Sequence, residues 1–206
     1  MIYTFDNFLP DDLAENLYNG ILDSRGDWWR TARIAMSNGS SEANYTDSTI
    51  RQRSEDWEQK LTESLRSNLY TYQFTRSVDH FRGCGCVICN FETYLDYVLK
   101  EWIETHTDLE NIERNFSFVS IYNRGDFLST HTDRGRGDVA FVINLTKDWR
   151  PEYGGMFHSN GQYVEPKFNS LMLMMIPPGG VDHFVSEVSH RAPGPRIAVS
   201  GWFKSK

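Results

Sequence analysis

Two kinds of hydrophobic spacing divide the chain near residue 114. Before it, apolar residues recur at three and four. Leu13, Leu17 and Ile21, with Tyr18 and Leu22, form one stripe after Pro10 and the pair Asp11-Asp12, whose first-turn carboxylates complement the positive end of a helix. Trp57, Leu61, Leu65 and Leu69 form a second stripe. In the third, Phe91, Tyr94, Leu95, Val98, Leu99, Trp102 and Ile103 share one face of a helix about three turns long, with Asn90 as its N-cap. Each stripe needs a layer to cover. Residues 36–48 are polar and rich in turn formers and predict a mobile surface loop.

From Phe116 onward the period changes to two or to continuous apolar runs: Phe116–Tyr122, Val139–Leu145, Gly155–His158, Gln162–Glu165, Ser170–Ile176, His183–Val188 and Pro195–Phe203. Ser159-Asn160-Gly161 sits between two of them, and Asn-Gly favours the positive φ angles of a type I′ hairpin turn. Leu171-Met172-Leu173-Met174-Met175-Ile176 reads as a strand buried on both faces, its methionines filling core. Short strands covered by helices predict a barrel or double-sheet jelly roll with a helical layer outside one sheet. No linker or repeat interrupts the pattern. We therefore expect one domain over 1–206, with 1–113 as largely helical support and 114–206 as the jelly-roll core.

Composition narrows the class. The chain has 206 residues, 39% hydrophobic and 24% charged, which suits a packed core and excludes a disordered tail. Its net charge of −7 offers no general attraction to nucleic acid or to acidic membranes, and would steer a basic peptide or protein towards it. No apolar run is long enough to span a membrane, and the start lacks the basic and apolar regions of a signal peptide, so a cytoplasmic protein is expected. Three cysteines fall within six residues, Cys84, Cys86 and Cys89. With His80 they could supply a zinc tetrahedron, although buried or incidental thiols are the simpler reading of so tight a spacing.

The chemistry concentrates at His131-Thr132-Asp133, His183 and Arg196. Residues i and i+2 of a strand share a face, so His131 and Asp133 can offer a nitrogen and an oxygen to one point. A second histidine from a distant strand completes a facial triad that leaves three adjacent metal positions open. His183 fits that place better than His190, which lies in a turn beside Arg191, or His158, a surface residue at the end of a hairpin arm. His106-Thr107-Asp108 repeats the same letters, but it ends the third helix and belongs to structure. Along the last strand Arg196, Ala198, Ser200 and Trp202 alternate with Ile197, Val199, Gly201 and Phe203, so Arg196 and Ser200 point together into the barrel. A buried arginine there requires a carboxylate partner.

The residues around these positions carry a family resemblance. Tyr122-Asn123-Arg124-Gly125-Asp126-Phe127-Leu128-Ser129-Thr130-His131-Thr132-Asp133 resembles the YxxGxxLxxHxD segment of 2-oxoglutarate- and Fe(II)-dependent dioxygenases of the prolyl hydroxylase type. Further blocks follow in the family's order: Asn144–Trp149, Gly154-Gly155, Glu165–Leu171, His183–Val188 and Arg196–Phe203. The blocks at His183 and at Ser200-Gly201-Trp202-Phe203 are similar to prolyl hydroxylases that act on a ribosomal protein, with a departure at Ala192-Pro193-Gly194-Pro195. The resemblance implies a double-stranded β-helix, or jelly roll. It also implies Fe(II) on His131, Asp133 and His183, the distal carboxylate of 2-oxoglutarate on Arg196, and a hydrogen bond from Tyr122 to that cosubstrate, with ascorbate as a candidate reductant.

On this reading the chain is a dioxygenase that hydroxylates a C–H bond, most simply of a prolyl residue in a peptide or protein. The alternatives are the same chemistry on a free amino acid or other small molecule, and a catalytically silent jelly roll that binds a ligand. Trp149 and Tyr153, after a strand near the expected mouth, are candidates to pack on the substrate ring. The loops at 36–47 and 80–90 would wall its groove.

Overall fold

Among the described residues, twelve strands form one continuous antiparallel sheet that curls on itself. The computed structural model describes residues 1–23, 28–36, 39–46, 62–77 and 85–206, with the backbone alone for 28–36 and 39–46. In the first part of the chain the elements are β1 (Ile2–Asp6), α1 (Asp11–Asp23), β2 (Trp28–Met36), β3 (Gly39–Thr46), β4 (Thr71–Ser77), α2 (Val87–Tyr94) and α3 (Lys100–His106). The rest is strand-rich: β5 (Ile112–Tyr122), β6 (Phe127–His131), β7 (Val139–Asn144), β8 (Phe157–Ser159), β9 (Gln162–Val164), β10 (Ser170–Met175), β11 (His183–Val185) and β12 (Arg196–Ser205).

The order β1-β10-β7-β12-β5 makes the larger wall and β6-β11-β8-β9 the smaller one. β4 joins them, pairing with the end of β5 at Thr75–Ile121 and with β6 at Tyr72–Leu128. This is the expected jelly roll. The Asn160-Gly161 turn closes the β8–β9 hairpin with both φ angles positive, at 50° and 74°.

Alternation on the central strands sorts their side chains into two cores. Leu171 and Leu173 of β10, Phe141 and Ile143 of β7, and Ile197 and Val199 of β12 face the helices, where they meet Leu17, Ile21, Leu95, Leu99 and Ile103. Met172 and Met174 face the other way, into the space between the walls, with Tyr72, Phe74, Tyr122, Phe157 and Val185. The two faces of β10 are therefore both buried, as its unbroken apolar sequence predicts. The helices α1 and α2 approach closely at Gly20, where an added Cβ would stand 2.8 Å from a methyl of Val87.

Several expectations for the first half change. Besides helices it contributes β1, β2, β3 and β4 to the sheet, so it is not simply helical support. Residues 39–46, expected within a loop, form β3 and pair with β2 in a hairpin. Of the second stripe, Trp57 and Leu61 lie outside the described residues; a short helix covers 62–66, and there Ser64 is buried while Leu65 is exposed. The third stripe begins earlier than Asn90 implied. Cys86 is the N-cap of α2, its Sγ accepting from the Cys89 amide, and a π-helical turn at Leu95–Leu99 joins α2 to α3. That turn rotates the face, leaving Val98 exposed while Phe91, Leu95, Leu99 and Ile103 stay buried. His80 and Cys84 lie outside the described residues, so the four-ligand zinc reading does too.

Candidate metal centre

The smaller wall brings the two distant histidines side by side. His131, the last residue of β6, is the register partner of His183, the first of β11, and their rings lie 4.2 Å apart. A bulge between this pair and Val185–Leu128 disrupts the ladder next to the site. Asp133 follows in the turn after β6, with Oδ1 3.6 Å from Nε2 of His131 and Oδ2 3.3 Å from Nε2 of His183. Among the described residues this is the one group of three ligand atoms gathered within 4.8 Å that could hold a metal ion.

Both imidazoles are held in one orientation. Nδ1 of His131 faces the carbonyl of Ser129 and Nδ1 of His183 that of Val181, each at 2.9 Å. A carbonyl only accepts, so each Nδ1 carries the proton and each Nε2 presents its lone pair to the common point. Tyr70 and Phe157 pack against the two rings. Burial, with the neighbouring His183, pushes His131 down to about 4, so it is neutral at ordinary pH. Burial works to raise Asp133, but hydrogen bonds and charge from His183, with His131 and the Trp202 indole, hold it below the usual carboxylate range. Two imidazoles and one carboxylate are the donor set of an Fe(II) facial triad.

The triad opens into a cavity of about 250 Å³ between the walls. Tyr122, Arg196 and Ser200 line the same cavity, as the alternation of β12 predicted. Arg196 is 3% exposed and pairs in register with Tyr122 of β5, its guanidinium lying 4.9 Å from the centre of the tyrosine ring. Its Nε has no hydrogen-bond partner, and among the described residues no carboxylate neutralises it. Burial lowers the Arg196 pKa and raises that of Tyr122, which therefore remains a phenol. An orphaned, buried guanidinium is a site for a ligand carboxylate.

The structure separates the other candidates from this cluster. Trp149 and Tyr153 do not line the cavity: they pack edge to face at 5.6 Å, and the Trp149 indole donates to the Gly154 carbonyl. The aromatic wall comes instead from Tyr70, Tyr72 and Phe74 on and beside β4, a run whose alternation with Thr71, Gln73 and Thr75 was the available signal. His190 is exposed. His158 is half-buried and stacks on Phe184, on the opposite side of β8 from Phe157. His106 ends α3, facing the Trp102 carbonyl and stacking on its ring, as its helix-end position suggested.

Residues 116–204 match the 2OG-Fe(II) oxygenase superfamily. A Pseudomonas putida prolyl-4-hydroxylase shares the fold, with a TM-score of 0.60 and 20% identity over 100% of this chain and 92% of its own. A Trichoplax adhaerens prolyl hydroxylase, solved with a hypoxia inducible factor peptide fragment, gives 0.61 and 14% over 99% and 83%. A viral collagen prolyl hydroxylase from Paramecium bursaria Chlorella virus-1, solved with 2OG, gives 0.57 and 12% over 100% and 96%. No curated protein matches the chain in sequence. No helix among the described residues is long and apolar enough to cross a membrane.

Proposed function

Starting from a 2OG-Fe(II) oxygenase on the prolyl hydroxylase fold, we propose that this chain hydroxylates a prolyl residue within a polypeptide. As a 2-oxoglutarate-dependent dioxygenase it uses Fe(II), 2-oxoglutarate and O₂. Bound together, these supply an oxidation in which 2-oxoglutarate becomes succinate and CO₂ while one oxygen atom enters a C–H bond.

The chain's own residues bind and orient. His131 and His183 would hold Fe(II) through Nε2 and Asp133 through its carboxylate, and the metal so held would supply the oxidation together with cosubstrate and O₂. Arg196 would pair with the far carboxylate of 2-oxoglutarate, with Tyr122 and Ser200 as hydrogen-bonding neighbours. That orphaned guanidinium in the same cavity as the triad is the observation that carries the reading, because a silent metal-binding module has no use for it. The inward residues around it, Met172, Met174 and Ala140, exclude water from the chemistry.

The prolyl target is supported by the wall of Tyr70, Tyr72 and Phe74, flat surfaces for an apolar ring beside the metal. The Trichoplax neighbour was solved in complex with a peptide fragment, and the viral one is a collagen prolyl hydroxylase, which supports a polypeptide substrate here. The test offers the enzyme Fe(II), ascorbate and 2-oxoglutarate with proline-containing peptides, free proline and other free amino acids, following succinate and the mass of one added oxygen. Oxygen on a prolyl residue supports the proposal. Turnover of free amino acids with no peptide product contradicts it.

A further inference from the structure

Two arginines line the cavity without any role in the site described so far, and both lie over the aromatic rings that lead away from the metal ligands. Arg76 continues the inward face of β4 after Tyr72 and Phe74, its guanidinium 5.9 Å from the ring of Phe116 and 5.8 Å from that of Phe118. Arg136 lies 5.7 Å from the ring of Trp202. Those rings form one floor: Phe116, Phe118 and Trp202 are 5.8 to 6.4 Å apart, and Trp202 donates its indole proton to Asp133. Arg136 is thus a single ring removed from a metal ligand.

Its backbone is fixed from two sides. The Arg136 amide donates to the Asp133 carbonyl, and the Asn115 side chain donates to the carbonyl of Arg136. Arg114, by comparison, holds a carboxylate on each side, Asp96 and Glu92. Among the described residues neither Arg76 nor Arg136 has one. Asp133, already committed to the metal site, is the cavity's one carboxylate among them, against Arg76, Arg136 and Arg196.

We infer that the substrate carries a carboxylate beside its target C–H bond, received by Arg76 and Arg136 over the Phe116–Phe118–Trp202 floor. This deepens the proposed hydroxylase reading and rests on it: the polypeptide has Asp or Glu next to the hydroxylated residue. The local charge reverses what the net charge of −7 suggests, since a peptide meets the mouth and not the average surface. The guanidiniums are held by ring faces, which keeps their hydrogen-bonding edges available to a carboxylate.

The test uses one proline-containing peptide with Glu, Gln or Lys flanking the proline, together with free glutamate and aspartate. Each is fluorescently labelled or used as competitor for binding to the full chain, and the unlabelled peptides are then assayed for succinate and added oxygen. The Glu peptide is expected to bind tightest and to weaken with salt. Arg136→Gln should reduce its advantage by about fivefold and Arg76→Gln, half-buried, by about tenfold. The double change Arg76→Glu with Arg136→Glu should turn the preference towards the Lys peptide, an outcome that loss of folding cannot produce. Preferred binding of Glu peptides without any hydroxylation would leave this inference standing and remove the prolyl reading. Hydroxylation with equal affinity for Glu, Gln and Lys peptides would overturn the inference and leave the activity. Binding of free glutamate or aspartate in preference to every peptide would overturn the polypeptide form of it.

Discussion

The indole Nε1 of Trp202 donates to Oδ2 of Asp133 at 2.9 Å, the oxygen that also lies 3.3 Å from Nε2 of His183. Trp202 stands on β12 with Arg196, so one strand carries both the orphaned guanidinium and the outer support of a metal ligand. Trp202→Phe keeps most of the ring and removes the donor. Fe(II) affinity should fall by about tenfold or more, as for other partners that orient a metal-binding carboxylate, while 2-oxoglutarate affinity at saturating metal changes little. Equilibrium metal titration of the two proteins checks this.

The duplicated His-x-Asp motif gives an internal control. Asp133→Ala or His131→Ala leaves two protein ligands and should abolish stoichiometric Fe(II) binding. His106→Ala removes only a ring stacked on Trp102 at the end of α3 and should leave the metal isotherm unchanged.

Arg196→Gln should raise the KM for 2-oxoglutarate strongly while Fe(II) binding persists. Truncating one partner of a desolvated charge pair costs about 2–5 kcal/mol, which is about thirtyfold or more in KM. Steady-state kinetics in 2-oxoglutarate, set beside the metal titration, separates the two effects.

Asp126 is the buried acid whose part is structural. Its Oδ2 accepts from the Asn123 amide, closing the turn from β5 to β6, and its Oδ1 accepts from the Gln73 side chain of β4. Asp126→Ala strands both donors at the junction of the two walls. Urea unfolding should show a loss of about 1–3 kcal/mol.

What was legible in the sequence followed from one-sided or two-sided burial. The alternation of β12 placed Arg196 and Ser200 in the cavity, and the unbroken run of β10 announced a strand covered on both faces. β4 carried a strand's alternation, but it lies among helical stripes in the sequence, and the burial of its polar face, Thr71, Gln73, Thr75 and Ser77, shows only in the fold. With that strand went the aromatic wall of Tyr70, Tyr72 and Phe74 and the arginine beyond it. Trp149 and Tyr153 misled because two aromatics after a strand suit a mouth or a core rim equally. Only the fold decides, by putting Gly155 between Trp149 and the stem of Arg196.

The most direct measurement is the origin of the oxygen in succinate when the protein turns over 2-oxoglutarate under isotopically labelled O₂ with a proline-containing peptide. The account predicts that each succinate carries one labelled oxygen, that hydroxylated peptide accumulates with it, and that both vanish in Asp133→Ala. Succinate that is absent from the wild-type reaction, or that forms without label, would contradict it.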